Sequence, residues 1–447
     1  MKEIILVAGA GISGIGAAKM LLELGETVTL YDGNEKLSKE ELLQNFTKKK
    51  PSLLLGELTK ESLREVKLCV ISPGIPLDVP FMDVVRDCEI PVWGELELAS
   101  HYAKGRLAAI TGTNGKTTTT TLVGQMAKDY FKSVFVVGNI GLAYTESALR
   151  TTEESVTVAE VSSFQLETIT DFHPNISAIL NITPDHLNRH KTMENYIAIK
   201  ESIAKNQGPE DCCVLNYDCG PLRDFGEKLS ARAVYFSRQT QLENGLCMDG
   251  DAIVLCQDGR RETVVRTEEL HLLGGHNYEN VMAATAIGLE LGIPLDSIRK
   301  TLKAFQAVEH RIEFVAEKHG VAYYNDSKGT NPDAAIQAIK AMTRPTLLIA
   351  GGYDKNSEYD EWIRAFDGKV KYLVLLGQTR DKIAQTARKY GMDSIIYAED
   401  MEEAVSVCAA YAGNGDAVLL SPACASWGMF QNYEERGRVF KDCVNRL

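Results

Sequence analysis

A chain of 447 residues with 45% hydrophobic and 24% charged side chains has the balance of a soluble globular protein, with length for about three domains of roughly 150 residues each. Its formal net charge of −13 argues against a nucleic-acid partner and against a basic face for membrane lipids, so an anionic substrate has to be met by local positive groups. No apolar run approaches the roughly 20 residues of a membrane span, the opening MKEIILVAG reads as a strand and not a signal peptide, and the ten cysteines form no C-x-x-C pair or zinc spacing, which points to reduced thiols in a cytoplasmic protein.

Residues 1–104 read as a Rossmann-like domain. An apolar strand, Ile4 to Ala8, runs into the glycine-rich turn Gly9 to Gly14, a helix follows over Ala17 to Leu24, and a second strand, Val28 to Tyr31, stops at Asp32. The turn has the G-x-G-x-x-G form that holds a dinucleotide such as NAD, and it accepts equally any phosphate or nucleotide that lies against a helix N-terminus. Asp32 reads either as a ligand to a sugar or as a turn residue. A further strand, Leu68 to Ile71, ends in Ser72-Pro73-Gly74-Ile75-Pro76, at the carboxyl edge where open α/β sheets bind ligands. The helix opened by Trp93-Gly94-Glu95 then leads to a linker over Ala103 to Arg106.

Residues 105–306 contain the strongest signal, LAAITGTNGKTTTTT from Leu107 to Thr121. A short strand, a turn with Gly112 and Gly115, and a helix start at Lys116-Thr117 make a phosphate cradle. Its backbone N–H groups approach the anion, Lys116 reaches terminal phosphates and a Thr117 or Thr118 hydroxyl ligates magnesium. The spacing is tighter than G-x-x-x-x-G-K-[ST], with Ile110 where the first glycine would stand. Strands Ser133 to Val137, Val156 to Val161, Ile176 to Leu180 and Cys212 to Leu215 alternate with helical patterns, which implies a mostly parallel sheet and a P-loop ATPase-like domain. Glu160 stands where such a sheet carries a metal-binding carboxylate, and Asp185-His186 follow the next strand as a second metal or phosphate group. Lys200, on a helix over Glu194 to Ala204, reads on its own as a surface lysine. Asn139 opens another turn at the same edge, and Asn277 and Asn280, one helical turn apart, either read a base edge or cap their helix.

Residues 307–447 read as a second Rossmann-like unit. Strands Ile312 to Ala316, Val321 to Tyr324, Thr346 to Ala350, Tyr372 to Leu376 and Ala417 to Leu420 precede polar turns that hold Asp326-Ser327-Lys328, Lys355 and Ser421 to Ser426. Arg311, Lys328 and Lys355 put three positive groups beside these turns, against the acidic balance of the whole chain.

Across its whole length this pattern resembles the Mur ligase family, through Gly112-Thr113-Asn114-Gly115-Lys116-Thr117-Thr118, Glu160 with Ser162-Ser163, Asp185-His186, Asn277 with Asn280, His310-Arg311 and Asp326-Ser327-Lys328. The stretch Ser421 to Ser426, with Phe430, Tyr433 and Arg436-Gly437, resembles the members that add D-glutamate. The resemblance implies three domains and an ATP-dependent ligase joining D-glutamate to UDP-N-acetylmuramoyl-L-alanine through an acyl phosphate, in a cytoplasmic monomer. It implies that the loop around Lys116 holds the phosphates of ATP, that two Mg2+ ions are bound by Thr117, Glu160, His186 and a carbamylated Lys200, and that Asn277, Asn280, Arg311 and Asp326 bind the rest of the nucleotide. Ser13, Asp32, Asn34, Ser72, Gly74 and Asn139 are implied for the UDP-sugar, Thr330, Lys355, Ser426, Trp427 and Tyr433 for D-glutamate, and Lys328 for the reacting phosphate. The chain departs from the pattern at Gly33-Asn34, Gly428 and Tyr433.

Two other readings stand beside this one. A nicotinamide oxidoreductase rests on Gly9 to Asp32 and leaves the Lys116 loop unexplained. A nucleotide-switch binding protein is the other, and against it the sequence holds no N-K-x-D guanine-reading motif.

Overall fold

The computed structural model describes residues 3–306 and 308–447; Met1, Lys2 and Ala307, the last at the expected start of the third domain, lie outside the described residues. Its contacts divide the chain into two compact units, Met1–Val264 with Glu279–Thr301, and Val265–Tyr278 with Leu302–Leu447.

The first unit holds two sheets. The first sheet consists of β1 (Ile4–Ala8), β2 (Thr27–Asp32), β3 (Ser52–Leu55), β4 (Val66–Ile71) and β5 (Val92–Gly94), in the order β3-β2-β1-β4-β5 with every pair parallel. The continuous apolar run of β1 suits a strand covered on both faces. The chain leaves β1 for β2 on one side and later returns as β4 on the other, so the turns after β1 and β4 flank an open crevice. The following helix spans Ile12–Glu23, starting earlier than the sequence pattern suggests, because Gly14 and Gly16 are buried against their surroundings. A Cβ on Gly14 would lie 1.8 Å from the Gly9 carbonyl oxygen, so only glycine permits this approach of helix to strand.

The second sheet has nine strands: β6 (Arg106–Thr111), β7 (Val134–Gly138), β8 (Val156–Glu160), β9 (Ile176–Ile179), β10 (Cys212–Asn216), β11 (Arg232–Ser237), β12 (Gly245–Asp249), β13 (Ala252–Gln257) and β14 (Arg260–Arg266). They lie in the order β14-β13-β12-β11-β10-β9-β6-β8-β7. The pairs from β7 to β12 are parallel, and β12 turns back antiparallel onto β13. Strands β11 to β14 are additions to the sequence reading. The charged, largely exposed run of β14 lacks the apolar signature of the inner strands.

The second unit is built on β15 (Glu313–Lys318), β16 (Val321–Asn325), β17 (Thr346–Ala350), β18 (Val370–Leu375), β19 (Ile395–Tyr397) and β20 (Ala417–Leu420), in the order β15-β16-β20-β17-β18-β19. Among the described residues its β15–β16 pair is antiparallel and the other pairs are parallel. Two apolar cores flank this sheet, one with the helices Pro332–Ala341 and Arg380–Lys389, the other with Met401–Tyr411 and Tyr433–Arg446. The ten cysteines are free thiols, eight of them buried. Among the described residues no helix is long and apolar enough to cross a membrane.

Candidate active site

The cradle forms where β6 gives way to the helix Lys116–Tyr130. Gly115 caps that helix with φ 85°, a left-handed conformation that costs glycine little, and a Cβ there would lie 2.2 Å from the Asn280 Oδ1. The loop is held from β9: Asn181 accepts from the Asn114 N–H at 2.8 Å, donates to the Asn114 carbonyl at 3.1 Å, and receives the Thr113 N–H on its own carbonyl at 3.0 Å. Lys116 Nζ folds back onto the Gly112 and Thr113 carbonyls, 2.8 Å from each. A triphosphate would offer this ammonium stronger, charged acceptors. Thr117 and Thr118 are buried in the first turn of the same helix.

Strands β6, β8 and β9 are neighbours, so their carboxyl ends bring together three segments that are far apart in sequence. Glu160, at the end of β8, is 1% exposed. Its Oε1 accepts from Asn139 Nδ2 at 2.9 Å, and its buried Oε2 has no hydrogen-bond partner among the described residues. A desolvated carboxylate oxygen without a donor is costly, and a metal ion would offset that cost. His186 takes φ 52°, and its N–H bonds the Asp185 carboxylate at 2.9 Å. Burial lowers the His186 pKa, with Lys116, Lys200 and Arg189 adding to the effect and Asp185 opposing it, which favours the neutral imidazole that metals bind.

Lys200 corrects the surface-lysine reading. It is 1% exposed, and its Nζ donates to the Gly112 carbonyl at 2.9 Å and to Thr111 Oγ1 at 3.4 Å. The helix Met193–Glu201 therefore presents this residue inward, onto the same carbonyl that accepts from Lys116. Burial, then the Lys116 charge, push the Lys200 pKa well below its ordinary value.

The donor-side expectations fall around the β1–β4 crevice. Ser13, Asp32, Asn34, Ser72 and Gly74 line a cavity of about 620 Å³, with Phe81 on its wall. Asp32 does act in the turn, accepting from the Ala10 N–H and the Asn34 N–H at 3.0 Å each, which shapes this crevice. Asn139 stands apart from that lining, on Glu160.

In the second unit the buried Asp326 follows β16 and accepts from the Ser421 hydroxyl at 2.7 Å. Burial raises its carboxyl from 3.8 to about 7, outweighing Ser421, Arg311 and Arg436, which pull it down. An acid with a higher pKa in the folded state keeps its proton longer there, so its stabilising contribution is complete below 3.8 and declines as pH rises towards about 7. Asp326→Asn has no such titration. Its melting temperature relative to wild type should therefore rise across that pH window and level off above it, and a constant difference in a pH series of thermal melts would contradict this.

Lys328 Nζ lies 5.2 Å from the Tyr433 ring centroid, and His310 meets the same ring edge-on. Lys355 Nζ lies 5.8 Å from the Trp427 ring and 3.5 Å from the Thr330 carbonyl, with Tyr353 packed on Trp427. Thr330, Lys355 and Trp427 thus form one group, next in sequence to the buried Ser426, while Tyr433 stands with Lys328. Asn277 donates to the Leu273 carbonyl at 2.7 Å and Asn280 accepts from Thr119 Oγ1 at 3.4 Å, so the two amides engage different partners.

Three supporting residues had no assigned role in the sequence reading. Asn181 brackets the cradle. Tyr196 places its hydroxyl 3.1 Å from Thr113 Oγ1 and its ring under Lys200 Nζ at 4.8 Å. Arg436, nearly fully buried, donates to the Ser327 hydroxyl, the Ser327 carbonyl and the Cys424 carbonyl, joining the Asp326–Lys328 turn to the Ser421–Ser426 turn. Only the tail motif hinted at Arg436; nothing local marks the other two. Two other groupings of metal-ligand residue types have ordinary partners. Glu97 accepts from the N–H groups of Thr170, Asp171 and Phe172 and bonds His101, and Lys441 bridges Glu309 and Glu313 beside His310.

Comparison with known proteins agrees with this geometry. The sequence matches the Mur ligase MurD-like N-terminal domain over residues 3–94, the Mur ligase middle domain over 110–288 and the Mur ligase glutamate ligase domain over 310–424. It is 54% identical to a UDP-N-acetylmuramoylalanine--D-glutamate ligase of Lachnoclostridium phytofermentans, covering 99% of this chain and 98% of that one. It is also 54% identical to one of Lachnospira eligens, covering 100% and 99%. Among solved structures, UDP-N-acetylmuramate-alanine ligase of Thermotoga maritima shares the fold with a TM-score of 0.62 at 18% identity, over 99% of each chain. The chain belongs to the Mur ligase family, grouped by identity along its whole length with the UDP-N-acetylmuramoylalanine--D-glutamate ligases.

Proposed function

We propose that this chain, a cytoplasmic monomer of three domains over residues 1–104, 105–306 and 307–447, uses ATP to join D-glutamate to UDP-N-acetylmuramoyl-L-alanine. The observation that carries the reading is the meeting of the Lys116 cradle, the unpartnered Glu160 oxygen and the buried Lys200 amine at the carboxyl edge of β6, β8 and β9. The names of the relatives support the choice of donor and amino acid.

A carboxylate is a poor acyl donor because its leaving group would be oxide. The alanyl carboxylate oxygen therefore attacks the γ-phosphorus of ATP, the bond to ADP breaks, and an acyl phosphate results. The D-glutamate amine then attacks the acyl carbon, gives up its proton, and phosphate leaves. Lys116 and the cradle N–H groups hold the charge that moves between the β- and γ-phosphates, and the protein's part is chiefly positioning and charge stabilisation. Thr117, Glu160, His186 and a carbamylated Lys200 would hold two Mg2+ ions, which supply charge neutralisation between carboxylate and γ-phosphate. Asn277, Asn280, Arg311 and Asp326 would bind the adenine, phosphate and ribose of ATP, Lys328 the transferring phosphate, and Thr330, Lys355, Ser426, Trp427 and Tyr433 D-glutamate. Ser13, Asp32, Asn34, Ser72, Gly74 and Asn139 would take the UDP-sugar.

The test is phosphate release from ATP with UDP-N-acetylmuramoyl-L-alanine and Mg2+, comparing D-glutamate, L-glutamate, L-alanine and meso-diaminopimelate. Release with D-glutamate alone is expected. Turnover with another of these amino acids and not with D-glutamate would reassign the acceptor, and no ATP consumption with any of them would end the reading.

A further inference from the structure

Arg189 lies three residues beyond His186 and belongs to none of the groups above. Its side chain is 11% exposed and its guanidinium grips Glu167 in a fork, Nε at 3.0 and 3.1 Å from the two carboxylate oxygens and Nη2 at 2.5 Å from Oε2. Nη2 also donates to the Ile75 carbonyl at 3.1 Å, reaching 114 residues back to the turn after β4. The guanidinium carbon sits 4.2 Å from the Phe164 ring centroid, and the His186 ring packs on that same ring at 4.9 Å. Glu167 further approaches His190 Nδ1 at 3.3 Å, and His190 Nε2 bonds Ser163 at 3.0 Å.

Ile75, together with Ser72 and Gly74, lines the 620 Å³ crevice. One side chain thus anchors the turn of the first sheet to the segment of the second sheet that bears His186. A single buried pair is weak ground for a stability role, since removing two ions from water offsets much of their attraction. The fork geometry is what distinguishes it, because a lysine keeps the charge and loses the planar set of donors that binds Glu167 and the Ile75 carbonyl together.

We propose that Arg189 is a positioning residue for the nucleotide-sugar donor: held by Glu167, it fixes the Ser72–Pro76 turn in the conformation that receives the UDP group, and backs the Phe164 ring behind His186. This rests on the donor assignment made above. It deepens that assignment by naming a residue outside the crevice on which donor affinity depends.

The experiment is calorimetric titration of the full chain with UDP, without ATP or metal, alongside ADP as a separate probe and a thermal melt of each protein. For Arg189→Lys the UDP dissociation constant is expected to rise about tenfold while that for ADP moves by less than about twofold. Glu167→Gln, which keeps the shape of its side chain, should shift UDP affinity in the same direction and serves where Arg189→Lys does not fold. A merely structural pair would lower the melting temperature and leave UDP affinity in place, and that outcome in either folded variant overturns the proposal. Failure of the wild type to bind UDP would remove the donor assignment and this inference with it, whereas wild-type binding with unchanged affinity in the variants removes only the role of Arg189.

Discussion

Lys200→Ala is expected to lose turnover by about a thousandfold or more and to regain part of it with short carboxylic acids such as acetate. The reason lies in the surroundings of the amine. Two lysine side chains, 116 and 200, donate to the single Gly112 carbonyl, and the second of them is buried. Burial places a desolvation cost on the charged form of Lys200, and repulsion from the Lys116 cation on the same neutral acceptor adds to it. The amine is therefore held towards its neutral form, which is nucleophilic. Its nitrogen can attack the carbon of CO2 and release a proton to solvent, leaving a carbamate with one negative charge. That would reverse the sign of the interaction with Lys116 and would provide an oxygen donor for the proposed metal site. A diffusible carboxylate can stand in for this group when the side chain is cut back. Steady-state phosphate release with and without acetate checks the expectation, and a fully active Lys200→Ala protein would remove the carbamate from the site.

Glu160→Gln should separate activity from stability in opposite directions. In the wild type one carboxylate oxygen is served by Asn139 and the other is buried without a donor among the described residues. An amide of the same shape carries no charge, so its burial without metal costs less than that of the carboxylate. The variant is expected to melt no lower than wild type in Mg2+-free buffer. Its turnover should fall by about a hundred- to a thousandfold at Mg2+ concentrations that saturate the wild type, because a neutral amide is a weak ligand for a hard cation. Melting curves with and without Mg2+ report this directly. Stabilisation by Mg2+ that is equal in both proteins would show that Glu160 takes no part in holding the ion.

Features encoded within a few consecutive residues were legible before any coordinates. The cradle is one strand, one turn and one helix start, and Gly112, Gly115 and Lys116 mark its conformation and charge within a few consecutive residues. The same holds for the Gly9–Gly14 turn and for the inner strands, whose unbroken apolar runs follow from cover on both faces. Strand β14, at the sheet edge, was missed because it mixes charged and apolar residues without the run that marks an inner strand, whereas β13 carries such a run, Ala252 to Cys256, and was passed over.

Pairings between distant segments depended on the sheet order, which no local pattern carries. That β9 lies beside β6 is what sets Asn181 against Asn114, and it is invisible in either strand alone. The lysine at 200 sits among isoleucines on a helix whose inward face cannot be told from its outward one by periodicity, so its burial and its neighbour at 116 appeared only with the packing. Nothing in the residues around Arg189 names its partners, Glu167 and the Ile75 carbonyl, which only the fold brings to it. The sequence by itself determined where phosphate would be held, because main-chain turns and adjacent side chains suffice for that. The tertiary structure decided which charges lose their water, since desolvation depends on everything packed around a group and not on its neighbours along the chain.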